Sequence, residues 1–221
     1  GSEAGHSLAA IGEQDEGRVA GFGFNIVGTL AAGDQNAYRS PFDRLVTWML
    51  TGSPGDVVPP DASVAVAGLG GGQGDVASWL GEYSWDVDSC EEADVADCFT
   101  ERDLIVVGAS GSNEGAEAMG DATRAAMRAG TAVLFVNTQN WQGSASGTAV
   151  LTELGMAYGP YGGNFWSEDR ADWDSVEDML DQGGVLGSLD ALLGHFQAQD
   201  FDFDWSLCTT SVGHTKCGDV P

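Results

Sequence analysis

Positive charge is almost missing from this sequence. Lys216 is its one lysine, and 8 Lys+Arg face 34 Asp+Glu, for a formal net charge of -26 over 221 residues. Such a surface repels nucleic acid and anionic lipid, which excludes nucleic-acid binding as a function class. It suits a salty medium, where screening removes most of the self-repulsion, or a cationic partner or divalent ion. Histidine is scarce as well: His6, His195 and His214 are the whole supply, and no H-E-x-x-H zinc motif can be built from them. No apolar run reaches membrane-spanning length, so no membrane insertion is expected. Internal repeats and long linkers are lacking too. Gly1-Ser2 reads as the scar of a cleaved tag, so the lack of a leader carries no information about export.

What is there is enough for one full domain. Hydrophobic residues make up 43% of the chain, which closes a core without metals. Residues 1–16 are polar and small and read as a flexible lead-in; 17–221 read as a single α/β domain, with 167–221 a helical and edge-strand extension. The four cysteines fall in two close pairs. Three pairings are formally open, and proximity suggests Cys90–Cys98 and Cys208–Cys217 as disulfides closing surface loops. The spacings are too wide for zinc knuckles. Disulfides imply an oxidising compartment, hence a secreted or cell-surface protein.

Periodicity sets the fold class. Residues 17–24 read as a first strand. Residues 40–50 read as a helix capped by Ser40, with Pro41 in the first turn, Phe42, Leu45, Trp48 and Met49 on one face, and Gly52 as the stop. Ser63 to Gly68 is a short buried strand, followed by the glycine-rich turn 68–72 and a helix over 75–83. Asp103 to Gly108 and Thr131 to Val136 are near-continuous apolar runs of the kind that parallel strands covered on both faces require. A helix over 116–129, ended by Gly130, lies between them and completes a βαβ unit. A further helix fits 147–154, and two amphipathic stretches fit 173–180 and 186–196. The alternating tail 200–205 reads as an edge strand. The expectation is a three-layer α/β domain, a largely parallel sheet flanked by helices (flavodoxin-like or amidotransferase-like), with surface disulfide loops.

Several of these segments, in this order, resemble the class I glutamine-amidotransferase-like domains in their degenerate, secreted form. Glu16-Gly17-Arg18-Val19-Ala20-Gly21-Phe22-Gly23 looks like their glycine-arginine-valine strand. Asp103 to Gly108 looks like their aspartate-led apolar strand. Ala116 to Val136 follows their helix, glycine, strand pattern, and Trp141 to Tyr158 their Trp-turn and helix. The resemblance covers roughly residues 17–165. It implies a domain of the kind found ahead of the peptidase module in M60-type mucin-degrading and immunomodulating metalloproteases. The departures imply a pseudoenzyme: no cysteine sits in a G-x-C-x-G elbow, and the peptidase motif is absent.

The remaining chemistry divides among three readings. Gln139-Asn140-Trp141-Gln142 follows a strand and so lies near the carboxyl edge of the sheet, where open α/β folds place ligands. Asn140, Trp141, Tyr158, Tyr161, Asn164 and Trp166 are candidate ligand-binding residues, with aromatic planes and amides suited to a sugar; Phe165 lies among them. This reading gives a noncatalytic accessory module of a larger secreted protein. Its partners are the neighbouring domains of the same chain and a glycoprotein or glycan that it recruits. A second reading is a hydrolase with an unorthodox site, either carboxylates at the sheet edge or Ser110 after an apolar strand with His195 or His214 as base. A third is an adhesive domain stabilised by calcium, with Asp200, Asp202 and Asp204 as candidate metal ligands and Asp86 and Asp88 a similar pair. No cofactor other than calcium is expected. Gly68 to Gly72 resembles a phosphate-binding turn but departs from G-x-G-x-x-G, and a close-packed turn is the simpler use of its glycines.

Overall fold

The computed structural model describes residues 2–3, 6–7, 9–33, 38–55, 57–139 and 143–158, with two short strands at 208–211 and 214–217. Strands β1 (Ser2–Glu3) and β2 (His6–Ser7) pair with each other. The body of the domain is a six-stranded sheet. In chain order its strands are β3 (Ala9–Gln14), β4 (Gly17–Phe22), β5 (Ser63–Ala67), β6 (Asp86–Ser89), β7 (Leu104–Gly108) and β8 (Ala132–Val136). Across the sheet the order is β3-β4-β8-β7-β5-β6, antiparallel at β3–β4 and parallel at every other pairing.

Alternation along the strands builds two cores. Ala20, Val64, Val66, Leu104, Val106 and Leu134 face a layer made by α1 (Ile26–Ala31), α2 (Arg39–Thr51) and α3 (Gln73–Leu80). Their neighbours Val19, Ala65, Ala67, Ile105, Val107, Val133 and Phe135 face the opposite layer of α4 (Val95–Cys98), α5 (Ala116–Arg128) and α6 (Ala145–Glu153). Successive side chains of a strand point to opposite faces, so a strand buried on both sides must be apolar throughout. Strands β7 and β8 are buried at every position. This is the three-layer α/β domain with a mostly parallel sheet that the apolar runs require.

Local details differ from the sequence expectations in instructive ways. Residues 9–14, within the expected lead-in, form edge strand β3, which pairs with β4 from Ala9↔Phe22 to Gln14↔Gly17. Only Ile11 of β3 is buried, so its composition carries no strand pattern. Strand β6, just before Cys90, is an edge strand that no strand pattern announced; Asp86, Asp88 and Ser89 are exposed and only Val87 is half-buried. Ser40 does not cap α2. The helix already starts one residue before Ser40, at Arg39, with Tyr38 as its N-cap and no side-chain cap bond. Gly52 does end it, in the left-handed conformation at φ 80° that glycine adopts without strain. Helix α1, unforeseen, is capped by the Asn25 side chain, which accepts from the Gly28 amide at 3.0 Å.

Cys90 and Cys98 form a disulfide, with Cα atoms 6.0 Å apart. Strands β9 (Cys208–Ser211) and β10 (His214–Cys217) pair antiparallel, and their register sets Cys208 directly opposite Cys217. The stretches 173–180, 186–196 and 200–205 lie outside the described residues.

Candidate functional site

The sheet has a topological switch point. From β5 the chain runs outward through α3 to β6. It then returns to the other side of β5 as β7 and continues through α5 to β8. Helices α3 and α5 therefore leave neighbouring strands on opposite faces of the sheet. In open α/β folds, the crevice opened by such a divergence at the carboxyl ends of the strands is where ligands bind. Here it is formed by Gly68 to Gly70 after β5 and Ala109 to Gly111 after β7.

The crevice is laced shut by the chain's own groups. The Ser110 amide donates to the Gly68 carbonyl at 2.8 Å. A Cβ on Gly108 would overlap the Gly68 carbonyl, and one on Gly68 would lie 2.7 Å from the Gly108 carbonyl oxygen, so both glycines serve a close backbone approach. Thr138, after β8, accepts from the Ala109 amide at 3.1 Å and shares a 2.5 Å hydrogen bond with the Ser110 hydroxyl. Gln139 Nε2 donates to the same hydroxyl at 3.3 Å. On the other side, Gln73 accepts from the Leu69 amide at 3.2 Å and donates to the Cys90 carbonyl at 2.9 Å. Glu92 completes the series by accepting from the Ser112 amide at 3.0 Å and the Ser112 hydroxyl at 2.5 Å. Those bonds hold the Glu92 carboxyl below its ordinary pKa. One polar network thus joins the loops after β5, β6, β7 and β8.

This geometry bears on the residues singled out from sequence. Ser110 is half-buried, and the groups its hydroxyl meets are Thr138 and Gln139, neither of which can act as a general base. His195 lies outside the described residues, as does the side chain of His214. The close-packing use expected of the glycine-rich turn holds at Gly68, and Gly70 needs its left-handed φ of 68°. It does not hold at Gly71 and Gly72, where an added Cβ would meet nothing within 4 Å. Asp88 pairs with Arg102 at 2.5 Å rather than with Asp86. Among the described residues no group of three or more His, Cys, Asp or Glu side chains gathers to hold a metal. Asp200, Asp202 and Asp204 lie outside the described residues, as do Asn140, Trp141, Tyr161, Asn164 and Trp166.

Of the candidate ligand-binding residues, Tyr158 is described. Its ring packs edge-on against Phe135 with centroids 6.2 Å apart, and its hydroxyl lies over Gly147 in the first turn of α6. Burial raises the Tyr158 pKa, against the opposing effect of neighbouring Ser144, and the fully buried Ser146 hydroxyl has no hydrogen-bond partner among the described residues. Ser144 caps α6, its hydroxyl accepting from the Gly147 amide at 2.9 Å and donating to the Ala109 carbonyl at 2.6 Å. Sequence reasoning missed Glu92, Gln73 and Thr138. Each acts on a residue at least four positions away, and for Glu92 and Thr138 more than nineteen, so no local pattern marks them. A separate cleft of about 350 Å³ lies between α1 and α3, where Gly28, Ala31, Val76 and Trp79 line it together with Asp75 and Glu82.

Comparisons with known proteins bear on the same region. The family model described as the immunomodulating metalloprotease N-terminal domain matches residues 1–165. An immunomodulating metalloprotease of Pseudomonas aeruginosa strain PAO1 is 32% identical over 226 residues, which cover 99% of this chain and 24% of that protein. Two solved structures of the metallopeptidase IMPa, one in complex with T-antigen and one from P. aeruginosa in complex with an O-glycopeptide, match with a TM-score of 0.63. Each is 32% identical and matches over 97% of this chain and 24% of the solved one. The chain spans about a quarter of the length of these relatives.

Proposed function

The chain belongs to the immunomodulating metalloprotease N-terminal domain family, and from that premise we propose that it is a noncatalytic accessory module that recruits glycoprotein substrate to a larger secreted metalloprotease. The observation that carries this reading is the laced switch point. The place where an α/β enzyme of this topology would hold its substrate is occupied by Ser110, Thr138, Gln139 and Gln73 bonding to one another's loops. The H-E-x-x-H motif of a zinc peptidase is also absent from all 221 residues. Catalysis by the parent protein therefore belongs to other domains of the same chain, which are this module's first partners.

The glycan part of the reading draws on two supports. Relatives were solved with T-antigen and with an O-glycopeptide. Strand β8 delivers Gln139 to the carboxyl edge of the sheet, and Asn140 and Trp141 follow it in sequence. An indole beside amides provides a plane for a sugar's apolar face and partners for its hydroxyls. Trp141, Trp166, Tyr158, Tyr161, Asn140 and Asn164 are the residues we assign to this role. Secretion fits the Cys90–Cys98 disulfide, which persists in oxidising compartments.

The test is binding of the domain to a mucin-type glycoprotein at physiological salt, beside the same glycoprotein stripped of its O-glycans. Saturable binding that disappears on stripping, and that Trp141→Ala abolishes, is the expected result. No binding to either form sinks the recruiting role and leaves a structural spacer.

A further inference from the structure

We propose that the Cys90–Cys98 disulfide is the holding element of a redox-sensitive latch, in which Glu92 closes over the loop between β7 and α5. Three sets of contacts point to it. The first is at the receiving end. Helix α5 starts after Gly115, which has no side chain to cap it. The Ser112 hydroxyl, which accepts from the Gly115 amide at 2.9 Å, itself donates to Glu92. A Cβ on Gly115 would overlap the Glu92 carboxylate, so the loop is shaped around a group that comes from twenty residues earlier. A carboxylate there is favoured by the unsatisfied amides and dipole of the 13-residue helix.

The second concerns what the disulfide loop would do if released. Between Cys90 and Cys98 lie Glu91, Glu92, Asp94 and Asp97, with no cation among them. Arg102, which lies against the loop through its bond to the Cys98 carbonyl, is engaged with Asp88. Repulsion among these carboxylates favours an expanded loop, and the covalent link opposes it. The third is that the apolar anchors Val95 and Phe99 are buried in the core beside Cys90. They hold the far part of the loop after reduction, so opening is confined to the part that carries Glu92.

Behind the latch, the buried Ser146 hydroxyl has no partner among the described residues and lies against Gly111. Opening the loop gives it water, which lowers the free energy of the open state. Reduction by a dithiol breaks the S–S bond and delivers two electrons and two protons to yield two thiols. The dithiol leaves as its own cyclic disulfide.

Hydrogen exchange of the 221-residue chain, read by mass spectrometry with and without a dithiol, tests the latch. We expect amides of 111–115 to exchange about ten-fold faster or more after reduction, while those of β5, β7 and β8 keep their rates. In the oxidised chain Glu92→Ala reproduces the faster exchange, and adding the dithiol to that variant changes 111–115 little further. Unchanged exchange at 111–115 on reduction, or unchanged exchange in the oxidised Glu92→Ala chain, overturns the proposal. Loss of protection in β7 and β8 on reduction overturns it as well, because the disulfide would then staple the whole fold rather than one loop.

Discussion

The two helical layers that sandwich the sheet are built from different materials. The layer of α1, α2 and α3 is aromatic: Phe22, Phe42, Trp48, Trp79 and Trp85 are buried in it. Its rim is a stack in which Tyr83 lies against Trp85 with ring centroids 4.8 Å apart. Arg39 sits over Trp79 and Tyr83, 5.1 and 4.6 Å from their centroids. Asp43 receives hydrogen bonds from both Arg39 and the Tyr83 hydroxyl. The layer of α4, α5 and α6 is made of small and flexible residues, among them Ala116, Ala122, Ala126, Met119 and Met127. Its helices approach closely because Gly120 faces Ala149, where a Cβ would come within 3.3 Å of the Ala149 methyl. One layer gains stability from large rings that exclude water, the other from short helix–helix distance and a covalent link. The two should fail in opposite ways, the first to truncation and the second to enlargement.

Truncation in the aromatic layer gives the largest expected effect. Phe42→Ala leaves a ring-sized cavity against Trp79, whose centroid is 5.4 Å from that of Phe42. It should cost about 3–5 kcal/mol in urea unfolding. A loss below about 1 kcal/mol would show that the layer collapses to fill the gap, which would erase the distinction between the layers.

Enlargement in the other layer comes next. Gly120→Leu wedges α5 from α6 and should cost about 1–3 kcal/mol. If Gly120→Leu proves neutral, the α5–α6 approach is not the constraint inferred from their spacing.

The smallest effect is a pH dependence that belongs to the α4–α6 side. Hydrogen bonds from Arg124 hold the Glu153 carboxyl below its ordinary pKa, as those from Ser112 do for Glu92. A carboxyl lowered in the folded state adds stability above its unfolded pKa of about 4.3 and loses it as pH falls through the lowered folded value. Thermal melting should therefore drop on acidification below about pH 4. The double variant Glu92→Ala, Glu153→Gln should show a shallower drop. An unchanged acid limb in that variant would place the dependence elsewhere, in the wider acidic surface.

These contrasts also mark how far a linear reading reaches. Strands β5, β7 and β8 were legible because central parallel strands are apolar on both faces. Helices α2 and α5 were legible from their periodic faces, with Gly52 and Gly130 marking their ends. Edge strands β3 and β6 were not, because an edge strand with one exposed face and one free side needs few apolar residues; in β3 only Ile11 is buried. The Ser40 cap failed because a serine before a proline carries the same local signature whether the helix starts there or one residue earlier. Asn25 capping α1 was legible in principle, but the helix is six residues long and too short for periodicity to show.

Composition and periodicity by themselves determined the α/β fold class and the strongly acidic character of the chain, and that no zinc-peptidase motif lies in it. Spacing suggested that Cys90 would find Cys98. Tertiary structure alone decided that β6 and β7 lie on opposite sides of β5, which makes β5 and β7 the switch point. It also decided that Ser110 meets Thr138 and Gln139, and that Glu92 reaches the loop before α5. The reason is physical. Burial of a strand or a helix face is a property of neighbours along the chain and leaves a period in the sequence. A hydrogen bond across a sheet edge joins residues twenty or more positions apart, and it leaves no period at all.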